Sequence, residues 1–372
     1  MNAASSADIE CDRRFMAAAI RLSRKHIGLT GTNPSVGTLI VSDDGGGPVV
    51  VGSGVTAAGG RPHAETEALA EAGERARGAT AYVTLEPCAH HGRTPPCAEA
   101  LVTAGVARVV GAASDPDSRV SGRGYAILRA AGIEVAEGVL ADEAFEAMAG
   151  YLIRSVSKRP QVTLKLAVSA DGRIGIPGQG QLPITGPVSR SQVHMMRTQS
   201  DAILVGIGTA LVDDPQLTCR LPGLENRSPV RIVLDTKARL PLSSQLARSA
   251  GDVPVLLAAA NADAAARRAL EGFGVEFIAT ELHAGRIALP ELLEDLAARG
   301  MSDIMVEGGA VVARAFLDED LVDRIALFGG PGALGSEGIE APLGFGALPD
   351  GFAVTTEARY GDDRYVELRR RG

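Results

Sequence analysis

The chain has 372 residues with a net charge of −8 and a pI near 5.4, which argues against a broad basic surface for nucleic acid. Four cysteines in this length exclude a disulfide scaffold, and no apolar run reaches the length of a membrane span. The polar start "MNAASSADIECDRRF" lacks the apolar core of a signal peptide, so a cytoplasmic protein with reduced thiols is expected.

In chain order, "DRRFMAAAIRLSRKHIG" has helical spacing with Gly28 as its stop. "VGTLIVS" and "PVVVGSG" read as strands around the turn "DDGGG". "HAETEALAEAGERARG" predicts a helix ending at Gly78, "ATAYVTLEP" a strand, "CAEALVTAGV" a helix and "ARVVGAA" a strand. "GRGYAILRAAG", "IEVAEGV" and "ADEAFEAMAGYLIRSVSK" continue as helix, strand and closing helix. The alternation predicts a layered α/β domain over residues 1–156. A second α/β domain is expected over 157–372. Its predicted strands are "VTLKLAVS", "AILVGI", "RIVLDT", "VPVLLAAA", "VEFIA", "DIMVEG" and "RIALF". Its predicted helices are "VSRSQVHMMRTQ", "ADAAARRALEGFG", "LPELLEDLAARG" and "AVVARAFLDED", and a hairpin around "YGDD" ends the chain.

Chemistry concentrates in "PHAE" (62–65) and "LEPCAHHGRTPPC" (85–97). The second stretch admits a disulfide loop, a metal site or a plain turn, and the reduced-thiol reading weakens the first. Cys88 falls after a strand and Cys97 at a helix start, where backbone N–H groups favour a thiolate. His63, Cys88 and Cys97 would fill three positions of a tetrahedral Zn2+ site and leave the fourth for an activated water. Glu65, two residues after the ligand histidine, is placed to shuttle protons. H-x-E followed by P-C…C is the signature of zinc nucleobase deaminases, except that eight residues rather than two separate the cysteines. Cys11 and Cys219 fall outside the pattern and read as structural.

These stretches, with "TNPSVG" (32–37), "RPHAETEAL" (61–69), "GATAYVTLEPCAHHGRTPPC" (78–97) and "SDP…GRG" (114–124), resemble the bifunctional riboflavin-biosynthesis deaminase–reductase family. "VTLKLAVSADGRI", "SDAILVGIGTALVDDPQLTCR", "RIVLDT" and "MVEGGAVVARAFL" resemble its reductase half in the same order. The resemblance implies a cytidine-deaminase-like three-layer α/β/α domain followed by a dihydrofolate-reductase-like α/β domain that uses NADPH. It implies deamination of 2,5-diamino-6-(5-phosphoribosylamino)pyrimidin-4-one, then reduction of the ribosyl side chain to ribityl. Asn33, His90 and Arg93 would contact that substrate in the first domain, with His91 left open. In the second, Ala167, Thr209, Asp213, Thr236 and the run 309–315, opening with Gly309, Ala310 and Val311, would line the NADPH site. Arg197, Leu217, Arg220 and Glu307 would hold the substrate, and Lys165 would polarise the sugar carbonyl or imine. A homo-oligomer is also implied, with no nucleic-acid or membrane partner.

Three departures stand out. Thr56 occupies a position usually His, "DPDS" with Asp117 and Ser118 replaces D-P-N-P, and Pro183 replaces the Trp of W-I-T-G. Pro183 motivates a second reading, a deaminase whose C-terminal domain binds or oligomerises without turnover. A tRNA-type deaminase is the third, disfavoured by the acidic charge and the eight-residue insert. "GPGALG" (330–335) fits G-x-G-x-x-G but opens no helix and reads as a loop.

Overall fold

The computed structural model describes residues 6–91, 95–116, 121–346 and 348–371. The chain divides into two compact units, Met1–Lys158 and Arg159–Gly372.

The first unit runs α1 (Ser6–Ser23), β1 (Gly37–Ser42), β2 (Val49–Val55), α2 (Ala64–Ala72), β3 (Thr80–Leu85), α3 (Cys97–Ala104), β4 (Arg108–Ala113), α4 (Arg123–Ala130), β5 (Glu134–Ala136) and α5 (Ala141–Ser157). Its sheet has the order β2-β1-β3-β4-β5. The β1 pairings are antiparallel, whereas β3–β4 and β4–β5 are parallel. Central strands β3 and β4 are buried almost throughout, as expected of strands covered on both faces. Helices α1 and α5 pack together, while α3 packs on both α2 and α4, which makes the two helical layers.

Ala64, Ala68 and Ala72 recur every fourth residue on α2 and are fully or nearly fully buried. They press on β2, where a Cβ on Gly54 would stand 2.1 Å from the Ala64 carbonyl oxygen. Small residues on both elements let α2 lie close to the sheet, and this fixes the height of its first turn. The sequence predicts that this helix reaches Gly78. It ends instead at Ala72, because Gly73 takes φ +56°, and a short 3-10 turn follows.

The second unit contains β6 (Gln161–Val168), α6 (Pro187–Thr198), β7 (Ala202–Gly206), α7 (Ile207–Asp213), β8 (Val230–Leu234), α8 (Gln245–Arg248), β9 (Val255–Ala259), α9 (Ala264–Glu271) and β10 (Glu276–Ala279). It continues with β11 (Leu282–His283), β12 (Arg286–Ile287), α10 (Leu289–Ala298), β13 (Asp303–Val306), α11 (Ala310–Asp318), β14 (Arg324–Gly329), β15 (Phe352–Tyr360) and β16 (Asp363–Arg370). Nine strands form one sheet in the order β10-β9-β8-β7-β13-β6-β14-β16-β15. The first seven in that order are parallel, and the terminal hairpin adds antiparallel β16 and β15. The chain winds outward through β8 to β10, then returns to insert β13 between β7 and β6. Such a reversal opens a crevice at the carboxyl ends of the strands, where ligands of open α/β sheets bind. Leu289, Leu292, Leu293 and Leu296 give α10 its buried stripe. Helix α7 was missed in the sequence: "AILVGI" read as strand through Ile207, yet β7 ends at Gly206 and the helix starts at once. Among the described residues, no helix is long and apolar enough to cross a membrane.

Candidate active sites

In the first unit His63 is the residue that caps α2, and Glu65 lies in that helix's first turn, 4% exposed. Cys88 follows β3 and Cys97 is the first residue of α3. One ligand atom from each of His63, Cys88 and Cys97 lies within 4.8 Å of the others. His63 Nδ1 is 3.3 Å from Cys97 Sγ and 3.8 Å from Cys88 Sγ, and the Cys97 backbone N–H donates to Cys88 Sγ at 3.2 Å. Hydrogen bonding from Cys97 holds the Cys88 thiol down to about 4, against the opposing effect of burial. The same contact with Cys88 pushes the Cys97 thiol up, and burial adds to it. One thiolate therefore suppresses the second unless a cation compensates both. Two sulfurs and one imidazole nitrogen are the donor set of zinc, so the residues present fit that ion. Burial, followed by the nearby Cys88 charge, raises Glu65 to about 7. A carboxyl poised there can both take and give a proton near neutrality.

These side chains open onto a cavity of about 320 Å³. Asn33 and His90, expected from sequence, line it, and His90 Nδ1 is buried without a hydrogen-bond partner among the described residues. Arg93, Asp117 and Ser118 lie outside the described residues. His91 instead makes an exposed pair with Glu99 at 3.3 Å. Thr56 also lines the cavity, and its hydroxyl accepts from the Val36 N–H at 2.9 Å. Sequence reasoning missed Glu86, Asp115, Tyr151 and Arg154, all on the lining. Glu86 accepts from the N–H groups of Gly122 and Gly124 at 2.9 and 3.0 Å. Glu86 and Asp115 fall inside the quoted stretches 78–97 and 114–124, but their partners, like those of Tyr151 and Arg154, lie tens of residues away.

In the second unit Ala167, Thr209, Thr236 and Glu307 sit at or just past the carboxyl ends of β6, β7, β8 and β13. Glu307, just past β13, accepts two hydrogen bonds from Arg197 of α6, at 2.8 and 3.1 Å. Lys165 Nζ approaches Glu307 at 3.8 Å, and Arg197 also donates to the Thr218 carbonyl at 2.9 Å. Burial alone would raise Glu307, but the Arg197 and Lys165 charges outweigh it and hold the carboxyl at about 2. Burial lowers the Lys165 ammonium, with Glu307 opposing. Lys165 and Ala167 share one face of β6, given the strand's alternation. Leu217, buried at φ +57°, precedes Arg220, whose backbone N–H meets His194 Nδ1 at 3.4 Å.

Thr209 Oγ1 accepts from the Gly309 N–H at 3.2 Å, which joins two of the expected cofactor residues. A Cβ on Gly308 would stand 2.7 Å from Val312 Cβ, so only glycine lets this turn lie so close to α11. Gly309 caps α11 and Ala310 and Val311 open it, so the positive end of the helix lies at this turn, which fits a pyrophosphate, while the Gly309 N–H is already taken by Thr209. Thr236 follows β8, and Asp213 ends α7 without a described contact to that turn. The "GPGALG" loop is already satisfied: Asp171 accepts from the N–H groups of Leu334 and Gly335 at 3.0 and 2.7 Å.

The fold and the His–Cys–Cys cluster define a zinc-type deaminase unit joined to an α/β unit with an anion-binding helix start. Residues 9–113 match the cytidine and deoxycytidylate deaminase zinc-binding region, and residues 160–349 match the RibD C-terminal domain. The riboflavin biosynthesis protein RibD of Aquifex aeolicus is 36% identical over 364 residues, covering 97% of this chain and 99% of its own. That of Escherichia coli is 39% identical over 337 residues, covering 88% and 89%. Among solved structures, Acinetobacter baumannii RibD superposes with a TM-score of 0.85 at 36% identity, covering 98% of this chain and 100% of its own. A diaminohydroxyphosphoribosylaminopyrimidine deaminase/5-amino-6-(5-phosphoribosylamino)uracil reductase from Thermotoga maritima gives 0.84 at 33% identity, covering 98% and 99%. The chain belongs to the RibD family of riboflavin biosynthesis, enzymes that join a deaminase to a reductase. Matches along both halves favour neither the deaminase-only nor the tRNA-type reading.

Proposed function

We propose that residues 1–156 deaminate 2,5-diamino-6-(5-phosphoribosylamino)pyrimidin-4-one and residues 157–372 reduce the product's ribosyl group to ribityl with NADPH. The observation that carries this is the His63–Cys88–Cys97 cluster at a cavity lined by His63, Glu65 and Cys88. The chemistry a zinc ion supplies in such a donor set is acidification of a bound water. Glu65 then moves two protons in turn: its carboxylate takes one from the attacking water and passes it to the pyrimidine ring nitrogen, then takes the second from the new hydroxyl and passes it to the departing amine. Ammonia leaves, and a carbonyl replaces the amino group. Asn33, His90 and Arg93 position the pyrimidine or its ribose phosphate; the unpartnered His90 Nδ1 supports such a contact.

In the second unit Gly309, Ala310, Val311, Thr209, Asp213, Thr236 and Ala167 hold the dinucleotide. Arg197, Leu217, Arg220 and Glu307 hold the substrate, with the arginines suited to its phosphate. Lys165 polarises the sugar carbonyl or imine as hydride reaches C1′. The Arg197–Glu307 bond and the Glu307–Lys165 approach support an ammonium held at that position. A homo-oligomer in the cytoplasm completes the reading.

The test is a paired assay of ammonia release and NADPH oxidation on the diaminopyrimidine phosphate. Ammonia is expected without NADPH, and NADPH oxidation only after ammonia release. No ammonia at full zinc occupancy would sink the deaminase assignment. Deaminated product that leaves NADPH unoxidised would sink the reductase assignment.

A further inference from the structure

Helix α5 contributes a wall of the deaminase cavity through Tyr151, Arg154 and Ser155. Arg154 is anchored twice. Its Nη2 donates to the Thr32 carbonyl at 2.5 Å, and its guanidinium carbon lies 6.0 Å from the Tyr151 ring centre. Thr32 lines the same cavity, so the bond ties α5 to the segment that carries Asn33. The Tyr151 hydroxyl lies 3.4 Å from both carboxylate oxygens of Asp115, another lining residue.

The cavity lining carries the acids Glu65, Glu86 and Asp115 and the arginines Arg61 and Arg154. Glu65 is buried at the metal cluster, and Glu86 is taken up by two backbone N–H groups. Arg154 bonds to a neutral carbonyl, which leaves its positive charge uncancelled by that contact. The bond uses one of five guanidinium N–H donors, and the planar fork matches the oxygens of a phosphate. An arginine already held in place loses little rotamer freedom on gripping an anion.

We propose that Arg154 is a specificity-determining residue of the deaminase half, one that selects a phosphorylated pyrimidine riboside over its dephosphorylated form by contacting the phosphate. The inference rests on the deaminase reading above and adds a residue to it.

The test uses the full-length protein with R154Q and R154K, and reads ammonia release without NADPH. The glutamine keeps an amide donor for Thr32 and removes the charge; the lysine keeps the charge and drops the fork. Substrates are the diaminopyrimidine riboside phosphate and the same riboside without phosphate. In R154Q the ratio of kcat/KM for the two is expected to fall about tenfold or more, through KM for the phosphorylated substrate. R154K should fall between. Inhibition of ammonia release by ribose 5-phosphate should weaken in the same order. An active wild type whose substrate ratio is unchanged in R154Q overturns this inference alone. Equal loss of kcat on both substrates, with zinc content reduced, assigns Arg154 a structural role and also overturns it. A wild type inert toward both substrates overturns the deaminase reading and this inference with it.

Discussion

The backbone N–H of Cys97 points at the sulfur of Cys88, 3.2 Å away, from the first residue of α3. A helix start thus stabilises the thiolate that the chain places beside His63. Cys88→Ser or Cys97→Ser is expected to abolish stoichiometric zinc and reduce ammonia release to background. NADPH-dependent reduction of supplied deaminated product should persist, because those residues belong to the other unit. Metal analysis beside the two assays checks this; ammonia release surviving in a metal-free variant would contradict it.

Glu65→Gln preserves shape and removes the proton carrier. Ammonia release should fall by about 10²–10⁴, the usual worth of positioned acid–base catalysis, while zinc content stays at one per chain. A variant with near-normal turnover would show that another group moves the protons.

Glu307 links stability to pH. Its carboxyl is held at about 2, below the ordinary glutamate value of 4.5, so the folded state favours the ionised form. A depressed value means stability is fully present above the unfolded value and is lost as pH falls from 4.5 toward 2. The shift corresponds to about 3 kcal/mol. Glu307→Gln leaves Arg197 and Lys165 buried without their counter-charge, a loss on the order of 3–5 kcal/mol. Denaturant unfolding at pH 7 should show that loss, and the variant's stability should depend less on pH below 4.5 than the wild type's. Identical slopes in the two proteins would argue against the ion pair as the cause.

Gly54→Ala tests how α2 is held. The added methyl would meet the Ala64 carbonyl oxygen at 2.1 Å and the Ala68 nitrogen at 2.7 Å, both backbone atoms that cannot swing away. The helix must shift, carrying His63 and Glu65 with it. A stability loss of about 1–3 kcal/mol and weaker zinc retention against a chelator are expected. Thermal melts and timed chelation measure the two, and unchanged zinc release would show that the site does not depend on this packing.

The His63–Cys88–Cys97 cluster was legible because each residue sits in a short pattern with a local cause. H-x-E requires one helix start, and P-C-x8-C requires one strand end and one helix start. Their residue types are rare enough in this order to be read without a fold. The strands were legible for a similar reason, since β-branched runs such as "TLIV" and "RIVL" need only their own composition. Helix ends were less so: Gly73 stops α2 through a backbone conformation that glycine permits but does not announce. The GPGALG motif misleads in the opposite way, because its anion is Asp171, 163 residues from Leu334 along the chain.

Composition and local pattern by themselves determined two α/β units, the His63–Cys88–Cys97 cluster and the carboxyl beside it. Tertiary structure decided what surrounds those atoms. The Arg197–Glu307 pair spans 110 residues, and Arg154 reaches Thr32 across 122. Glu65 titrates near neutrality only because the folded chain removes it from water beside a thiolate. Local sequence sets which groups exist; desolvation and long-range approach set their charge and their neighbours, and neither has a period or spacing to read.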